Sequence, residues 1–262
     1  MPCHLVLTAT VHPKGMYVKV ADANVRRRQY LEALEFLLAV PGPVIGSITL
    51  IENSSADLAP FERVIRNGNP HQRSVELISR SGNDFPPELG IGYGEFRTLD
   101  HAVSSSRVLP QSGYIAKLTG RLIVRNLAAI LSALEPEFDL AADVTPFPDK
   151  NAGWVDTRLM VFSRDFYLRK IQGLYQQVNG SQGVAIEHVV YQMIRQNPGM
   201  RLLPRLPREP QWVGYCASTG QRYDTLAMRL KYPPKVLLRA VNRLMRRPSL
   251  ARLWSRTLNG KN

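Results

Sequence analysis

The sequence predicts an α/β fold, a mixed and mostly parallel sheet with helices on both faces. Three observations carry this. Short strands rich in β-branched residues alternate with helical segments, the order that builds parallel sheets. At 262 residues and 44% hydrophobic, the chain can bury one substantial core. Finally, "YIAKLTGRLIVRN" (114–126) closes an apolar strand with Lys117, Thr119, Gly120 and Arg121, which puts polar chemistry at a carboxyl end, where such sheets collect ligands.

In chain order, "HLVLTATV" (4–11) reads as the first strand and "RRRQYLEALEFLLAV" (26–40) as an amphipathic helix ended by Pro41-Gly42. "VIGSITLIEN" (44–53) is the second strand, stopped by the turn-forming "ENSSAD", and "SVELIS" (74–79) is the third. A polar Gly/Pro-rich segment leads into a helix over 94–106, and "YIAKL" is the next strand. A helix in "RNLAAILSALE" follows, then a strand in "FDLAADVTPF" and another running through "WVDTRLMVF" to Phe162. Ser163 caps a helix that carries Asp165 in its first turn, and a further helix covers 183–196. No internal repeat or low-complexity tract interrupts the order.

Cys3 and Cys216 are the whole cysteine content, which excludes a disulfide framework, a zinc cluster and a CxxC redox pair, and fits a reduced, cytoplasmic setting. The start, "MPCHLVLTATVHPKG", lacks the basic lead, long apolar stretch and cleavage site of an export signal. No run approaches the roughly 18 apolar residues of a membrane span. The net charge of +13 is lopsided: residues 1–200 hold 20 Lys+Arg against 19 Asp+Glu, and residues 201–262 hold 14 against 2. The chain is therefore read as a body over 1–200 and a basic extension over 201–262 that seeks an anionic partner.

Four clusters stand at segment ends: Thr8 with Thr10, Glu52-Asn53-Ser54 with Asp57, Gly92 and Gly94 with Glu95, and Lys117-Thr119-Gly120-Arg121. Converging on one cleft, they outline a nucleotide-diphosphate site: groups for base and ribose, glycines for close approach, cations for phosphate. Taken singly, each also fits an ordinary turn, and Lys117 and Arg121 also fit a solvated strand end.

The ordered set "TAT", "RRRQYLEALEF", "IENSSADL", "GIGYGE", "YIAKLTGRLIVRN" and "DTRLMVFSRDFY" resembles a group of bacterial glycosyltransferases from surface-polysaccharide gene clusters. The resemblance spans roughly residues 4–195, with Lys117-Leu118-Thr119-Gly120-Arg121 its most specific element. It implies a Rossmann-like, A-type nucleotide-sugar transferase fold that moves a sugar from a nucleotide-diphosphate donor to a surface-polysaccharide or lipid-linked glycan at the cytoplasmic membrane face. It further implies that Glu52, Asn53 and Asp57 read the nucleoside and that Gly92, Gly94 and Glu95 line the diphosphate side. In A-type transferases the corresponding strand usually ends in Asp-x-Asp, which holds a divalent metal. No such pair stands here, so Lys117 and Arg121 are expected to supply the positive charge, with no metal required. Leu122 stands where the family usually has Tyr. The base that takes the acceptor proton is Glu187 or Asp156, with Glu187 preferred and Asp156 then a sugar or acceptor ligand beside Arg158; either acid also fits a structural ion pair.

In "PPKVLLRAVNRLMRRPSLARLWSRTL" (233–258), a helical wheel sets Leu237, Val241, Leu244 and Met245 opposite Lys235, Arg239, Arg243 and Arg246. The expectation is a pair of helices lying in an anionic membrane surface, against the alternative of a terminal helix packed on the body. Rival functions are a non-catalytic nucleotide- or glycan-binding subunit and a nucleic-acid-binding protein. The second ranks lower, because aromatic interleaving is sparse and the body is nearly neutral.

Overall fold

The computed structural model describes residues 2–14, 18–145 and 153–225. The helices expected over 233–258, and the end of the strand expected over 138–147, lie outside those residues.

The described residues form the expected α/β architecture. The seven-stranded sheet is built from β1 (Cys3–Ala9), β2 (Ile45–Glu52), β3 (Ser74–Ser79), β4 (Tyr114–Thr119), β6 (Leu140–Ala141), β9 (Leu159–Ser163) and β10 (Leu202–Leu203), in the order β10-β6-β9-β4-β1-β2-β3. β1 pairs in parallel with β2 and β4, β2 with β3, and β10 with β6, while β9 runs antiparallel between β4 and β6. Two antiparallel ribbons stand outside the sheet: β5 (Ile123–Val124) with β11 (Trp212–Val213), and β7 (Val144–Thr145) with β8 (Trp154–Val155).

Both faces are covered, which is why β1 is buried throughout. Leu5 and Leu7 of β1, Ile48 and Leu50 of β2 and Ala116 and Leu118 of β4 pack with α1 (Ala23–Ala39) and α2 (Ala59–Gly68). Val6, Ile51 and Ile115 point the other way, into a second core with α3 (Ile91–Ser105) and α6 (Ile186–Gln196). Helix α1 begins earlier than its periodicity predicts, because Asp22 caps it by accepting from Val25 N at 2.8 Å. A short α4 (Leu127–Ser132) follows β5.

Two expected strands are broken for local reasons. Ala142-Asp143 bends out between β6 and β7, with the Asp143 carboxylate accepting from Leu206 N at 3.0 Å and its carbonyl accepting from Asp156 N at 2.8 Å. Asp156 to Arg158 forms a second bend between β8 and β9, where the Asp156 side chain accepts from Arg158 N at 3.1 Å. Ser163 caps a helix as expected, yet α5 (Arg164–Phe166) lasts three residues before a wide turn at Tyr167–Ile171. Asp100 of α3 holds that turn, accepting from Tyr167 Oη and from Gly173 N.

Strand pairing continues past the boundary expected at residue 200: β10 joins the sheet and β11 pairs with β5, so residues 202–213 belong to the body. No helix among the described residues is long and apolar enough to cross a membrane.

Candidate active site

A cavity of about 1150 Å³ opens at the carboxyl ends of β1, β2 and β4. It draws from all four sequence clusters: Thr8 and Thr10, Asn53, Gly92 with Gly94 and Glu95, and Thr119 with Arg121. Asp156, Arg158 and Glu187 complete the opposite wall. Glu52, Ser54, Asp57, Lys117 and Gly120 do not line it, and each has a structural occupation instead.

Glu52 is fully buried, and its carboxylate accepts from Val11 N at 2.9 Å, Ala56 N at 2.8 Å and the Ser54 hydroxyl, tying the loops after β1 and β2 together. The Ser54 hydroxyl is also the acceptor for His12 N at 2.9 Å. Asp57 is exposed and accepts from Ala59 N at 2.9 Å at the start of α2. Gly120 donates its N–H to Thr8 O at 3.0 Å, and a Cβ there would sit 2.8 Å from that oxygen. It is glycine so that the ends of β1 and β4 can touch. Gly92 and Gly94 do line the cavity, but their missing Cβ atoms make room for Ile186 and the Phe85 ring rather than for a ligand.

Lys117 departs most from its expected role. Its side chain points into the α3 face with no exposure. Nζ donates to Glu95 Oε1 at 2.7 Å and to Thr157 O at 2.6 Å, and lies 5.5 Å from the centre of the Phe96 ring. Glu95 Oε1 also accepts from Thr8 Oγ1 at 3.1 Å and Thr119 Oγ1 at 2.7 Å. Burial pushes the Glu95 carboxyl up, but the Lys117 charge and these hydrogen bonds outweigh it and hold the group ionised. The lysine's charge is spent inside the protein.

Arg121 is 6% exposed, lines the cavity and donates to Tyr215 O. Burial lowers its pKa, with the Arg26 charge acting in the same direction. Asn53 is 2% exposed; its amide donates to Thr98 Oγ1 at 2.8 Å, and Thr98 donates onward to Gly94 O at 2.7 Å. That order fixes the amide, and Asn53 Oδ1 is left without a partner among the described residues, a buried acceptor at the wall of the cavity.

The two candidate bases differ. Asp156 is paired bidentately with Arg158, at 2.8 Å to Nε and 2.5 Å to Nη2. Burial pushes its carboxyl up, but the guanidinium outweighs that and brings it below the usual range. Glu187, in the first turn of α6, has one neutral side-chain partner, Thr157 Oγ1 at 3.3 Å. Burial raises its pKa, and the nearby Glu95 charge raises it further. Among the described residues no group of three His, Cys, Asp or Glu side chains is arranged to hold a metal ion. Two of the acids that line the cavity, Glu95 and Asp156, already have a lysine and an arginine as counter-charges.

Several lining residues escaped the sequence reading. Arg26 and Tyr30 lie one helical turn apart on α1, a spacing that puts both on one face and was legible. Trp212 and Tyr223 come from a segment assigned to the extension. The Arg158 guanidinium lies 4.4 Å from the Trp212 ring and 4.7 Å from the Tyr223 ring, so this segment closes one side of the cavity. Trp154, 37% exposed at the rim, meets His188 edge-on at 5.0 Å.

No protein-family model and no curated protein matches the chain. Among solved structures it is similar to the galactosyltransferase LgtC in complex with donor and acceptor sugar analogues, at 12% identity over 71% of this chain and 69% of that one, TM-score 0.48. It is similar to the inositol-1-phosphate CTP transferase from T. maritima, at 12% identity over 77% and 84%, TM-score 0.46. It is also similar to a mannosyltransferase from Pyrobaculum calidifontis in complex with GDP-Man and Mn2+, at 11% identity over 78% and 55%, TM-score 0.44. These neighbours transfer glycosyl or nucleotidyl groups; the fold class of this chain rests on its own strand order.

Proposed function

We propose that this chain is a glycosyltransferase that moves a sugar from a nucleotide-diphosphate donor to a glycan acceptor. One observation carries the reading: a single cavity at the carboxyl ends of parallel strands sets Glu187, a carboxyl raised by burial, together with Arg121, a buried guanidinium that has no acidic partner among the described residues. In this reading the nucleoside lies toward Thr10 and Asn53, whose free Oδ1 accepts from a base or ribose donor. The diphosphate lies against Arg121. The acceptor hydroxyl gives its proton to Glu187 as its oxygen bonds to the anomeric carbon, and the electron pair of the broken C–O bond leaves on the phosphate oxygen beside the guanidinium. Asp156, held ionised by Arg158, serves as a hydrogen-bond acceptor for sugar hydroxyls. Trp154, exposed at the rim, offers an aromatic face of the kind on which a pyranose stacks, which supports a glycan acceptor. Because Glu95 and Asp156 are already neutralised, the leaving charge falls to guanidinium groups, and transfer is expected to survive excess chelator.

The test is transfer by the full chain with a panel of nucleotide sugars and glycan acceptors. In Glu187→Gln, kcat is expected to fall about 10²–10⁴-fold with donor KM little changed. A base must be deprotonated, so wild-type activity should rise with pH through a titration above 4.5, the ordinary value for glutamate, and this limb should vanish in the variant. A variant as active as wild type removes Glu187 from the role. Activity lost to chelator and restored by manganese removes the guanidinium assignment.

A further inference from the structure

We infer that Arg26 and Arg121 together form a diphosphate-binding clamp, with Arg26 as the second cation of the site in place of Lys117. The inference rests on the reading above and names a residue that the β4 motif does not contain.

Arg26, in the first turns of α1, is 5% exposed and lines the same cavity as Arg121. Every hydrogen-bond partner of its side chain among the described residues is neutral: Nε donates to Thr10 O at 2.6 Å, Nη1 to Val20 O at 3.2 Å and Nη2 to Tyr30 Oη at 3.0 Å. Arg121 likewise donates to a carbonyl, that of Tyr215. Of the other cations at the site, Lys117 is paired with Glu95 and Arg158 with Asp156, and Lys14 and Arg125 are exposed, whereas Arg26 and Arg121 are buried with no carboxylate within ion-pair distance among the described residues.

Removing a charge from water without a counter-charge is costly, and two guanidinium groups close enough to repel each other make it worse. A chain that fixes both by carbonyls rather than acids has built a receptor that an anion completes. Guanidinium carries five N–H donors in a planar fork. Three on Arg26 are used by the fold, leaving two that match the oxygens of a phosphate; Arg121 has donors to spare in the same way. Two fixed positive charges lining one cavity suit a diphosphate better than a monophosphate. A diphosphate reaches this cavity from two sources, the nucleotide donor or a lipid-linked acceptor, and the experiment separates them.

The measurement is calorimetric titration of the full chain with inorganic pyrophosphate in chelator, for wild type, R26Q, R121Q and R28Q; Arg28 is an exposed arginine on the same helix and controls for net charge. We expect R26Q and R121Q each to weaken binding at least tenfold, R28Q to stay within twofold, and phosphate to bind more weakly than pyrophosphate. If R26Q does not fold, Y30F, which removes the hydroxyl that braces Nη2, should weaken pyrophosphate two- to tenfold while folding normally. Wild-type affinity in R26Q, or in Y30F where R26Q fails to fold, overturns the clamp. Nucleoside diphosphates should displace pyrophosphate and farnesyl diphosphate should not; displacement by farnesyl diphosphate alone would overturn the donor assignment. Sugar transfer with R26Q binding pyrophosphate normally leaves the proposed function standing and removes the clamp. Arg26-dependent binding with no transfer to any acceptor does the reverse.

Discussion

Lys117 and Arg121 stand four residues apart at the end of one strand and carry the same charge, yet Lys117 has Glu95 at 2.7 Å and Arg121 has a carbonyl. Strand geometry and the turn that follows explain the difference. Lys117 points from β4 to the α3 face, where Glu95 lies, whereas Arg121 falls beyond the strand in the turn toward β5, under the segment that carries Tyr215. Truncating the lysine leaves Glu95 with hydroxyl partners and no counter-charge. Lys117→Met is therefore expected to cost about 3 kcal/mol in urea unfolding, the low end for a broken buried pair because Glu95 keeps some contact with the cavity. Adding Glu95→Gln should recover most of that loss. A single variant as stable as wild type would mean the pair does not support the fold.

At the scale of elements, residues 209–225 form a strap over the site. β11 pairs with β5, Asn126 donates to Glu209 O at 2.7 Å and accepts from Gln211 N at 2.9 Å, and Arg158 lies against both the Trp212 and Tyr223 rings. The two ring contacts are worth about 1–2 kcal/mol each where water is excluded. Arg158→Ala should thus loosen the strap without unfolding the sheet: limited proteolysis is expected to cut within 209–225 and tryptophan emission to shift to longer wavelength, while far-ultraviolet dichroism stays that of wild type. A strap as protected as before would show that the ribbon alone holds it. The helix start at Ser163 was legible, because a cap is a local hydrogen bond. The strap was not, since its anchors lie tens of residues away and its own sequence reads as a polar, basic tail.

Across the whole molecule, the amino ends of β1 and β2 hold a buried polar chain that ties sheet to helix. His4 bonds Ser47 Oγ at 2.6 Å and Thr49 Oγ1 at 2.9 Å, Thr49 meets Ser106 Oγ at 2.7 Å, and Ser106 donates to Glu76 at 2.8 Å. Burial lowers the His4 pKa from 6.5 to about 4, the Glu76 charge opposing only in part. A folded-state value below the unfolded one means the unfolded chain takes up the proton first. The contribution, at most about 3 kcal/mol, is whole above pH 6.5 and is lost as pH falls from 6.5 through 4. Burial pushes Glu76 up, but its hydrogen bonds from Arg107 and Ser106 win and lower it, so its own contribution disappears only below 4.5. The urea midpoint should therefore fall more steeply between pH 6.5 and 4.5 in wild type than in His4→Asn. A slope unchanged in the variant would place the titration elsewhere.

The sequence by itself determined the alternation of strands and helices, the mostly parallel sheet buried on both faces, and the end of that sheet at which polar groups gather. Each of these follows from the spacing of apolar residues or from caps and turns a few residues long. Only the tertiary structure decided which of those charges is paired inside the protein and which is not. Lys117 is neutralised from a helix 22 residues earlier, Arg26 joins Arg121 from another element, and Asn53 keeps a buried oxygen without a partner among the described residues because Thr98 has claimed its amide. Charge and hydrogen-bond partners are assigned by what packs alongside, and a pairing across the fold has no period for a sequence to show.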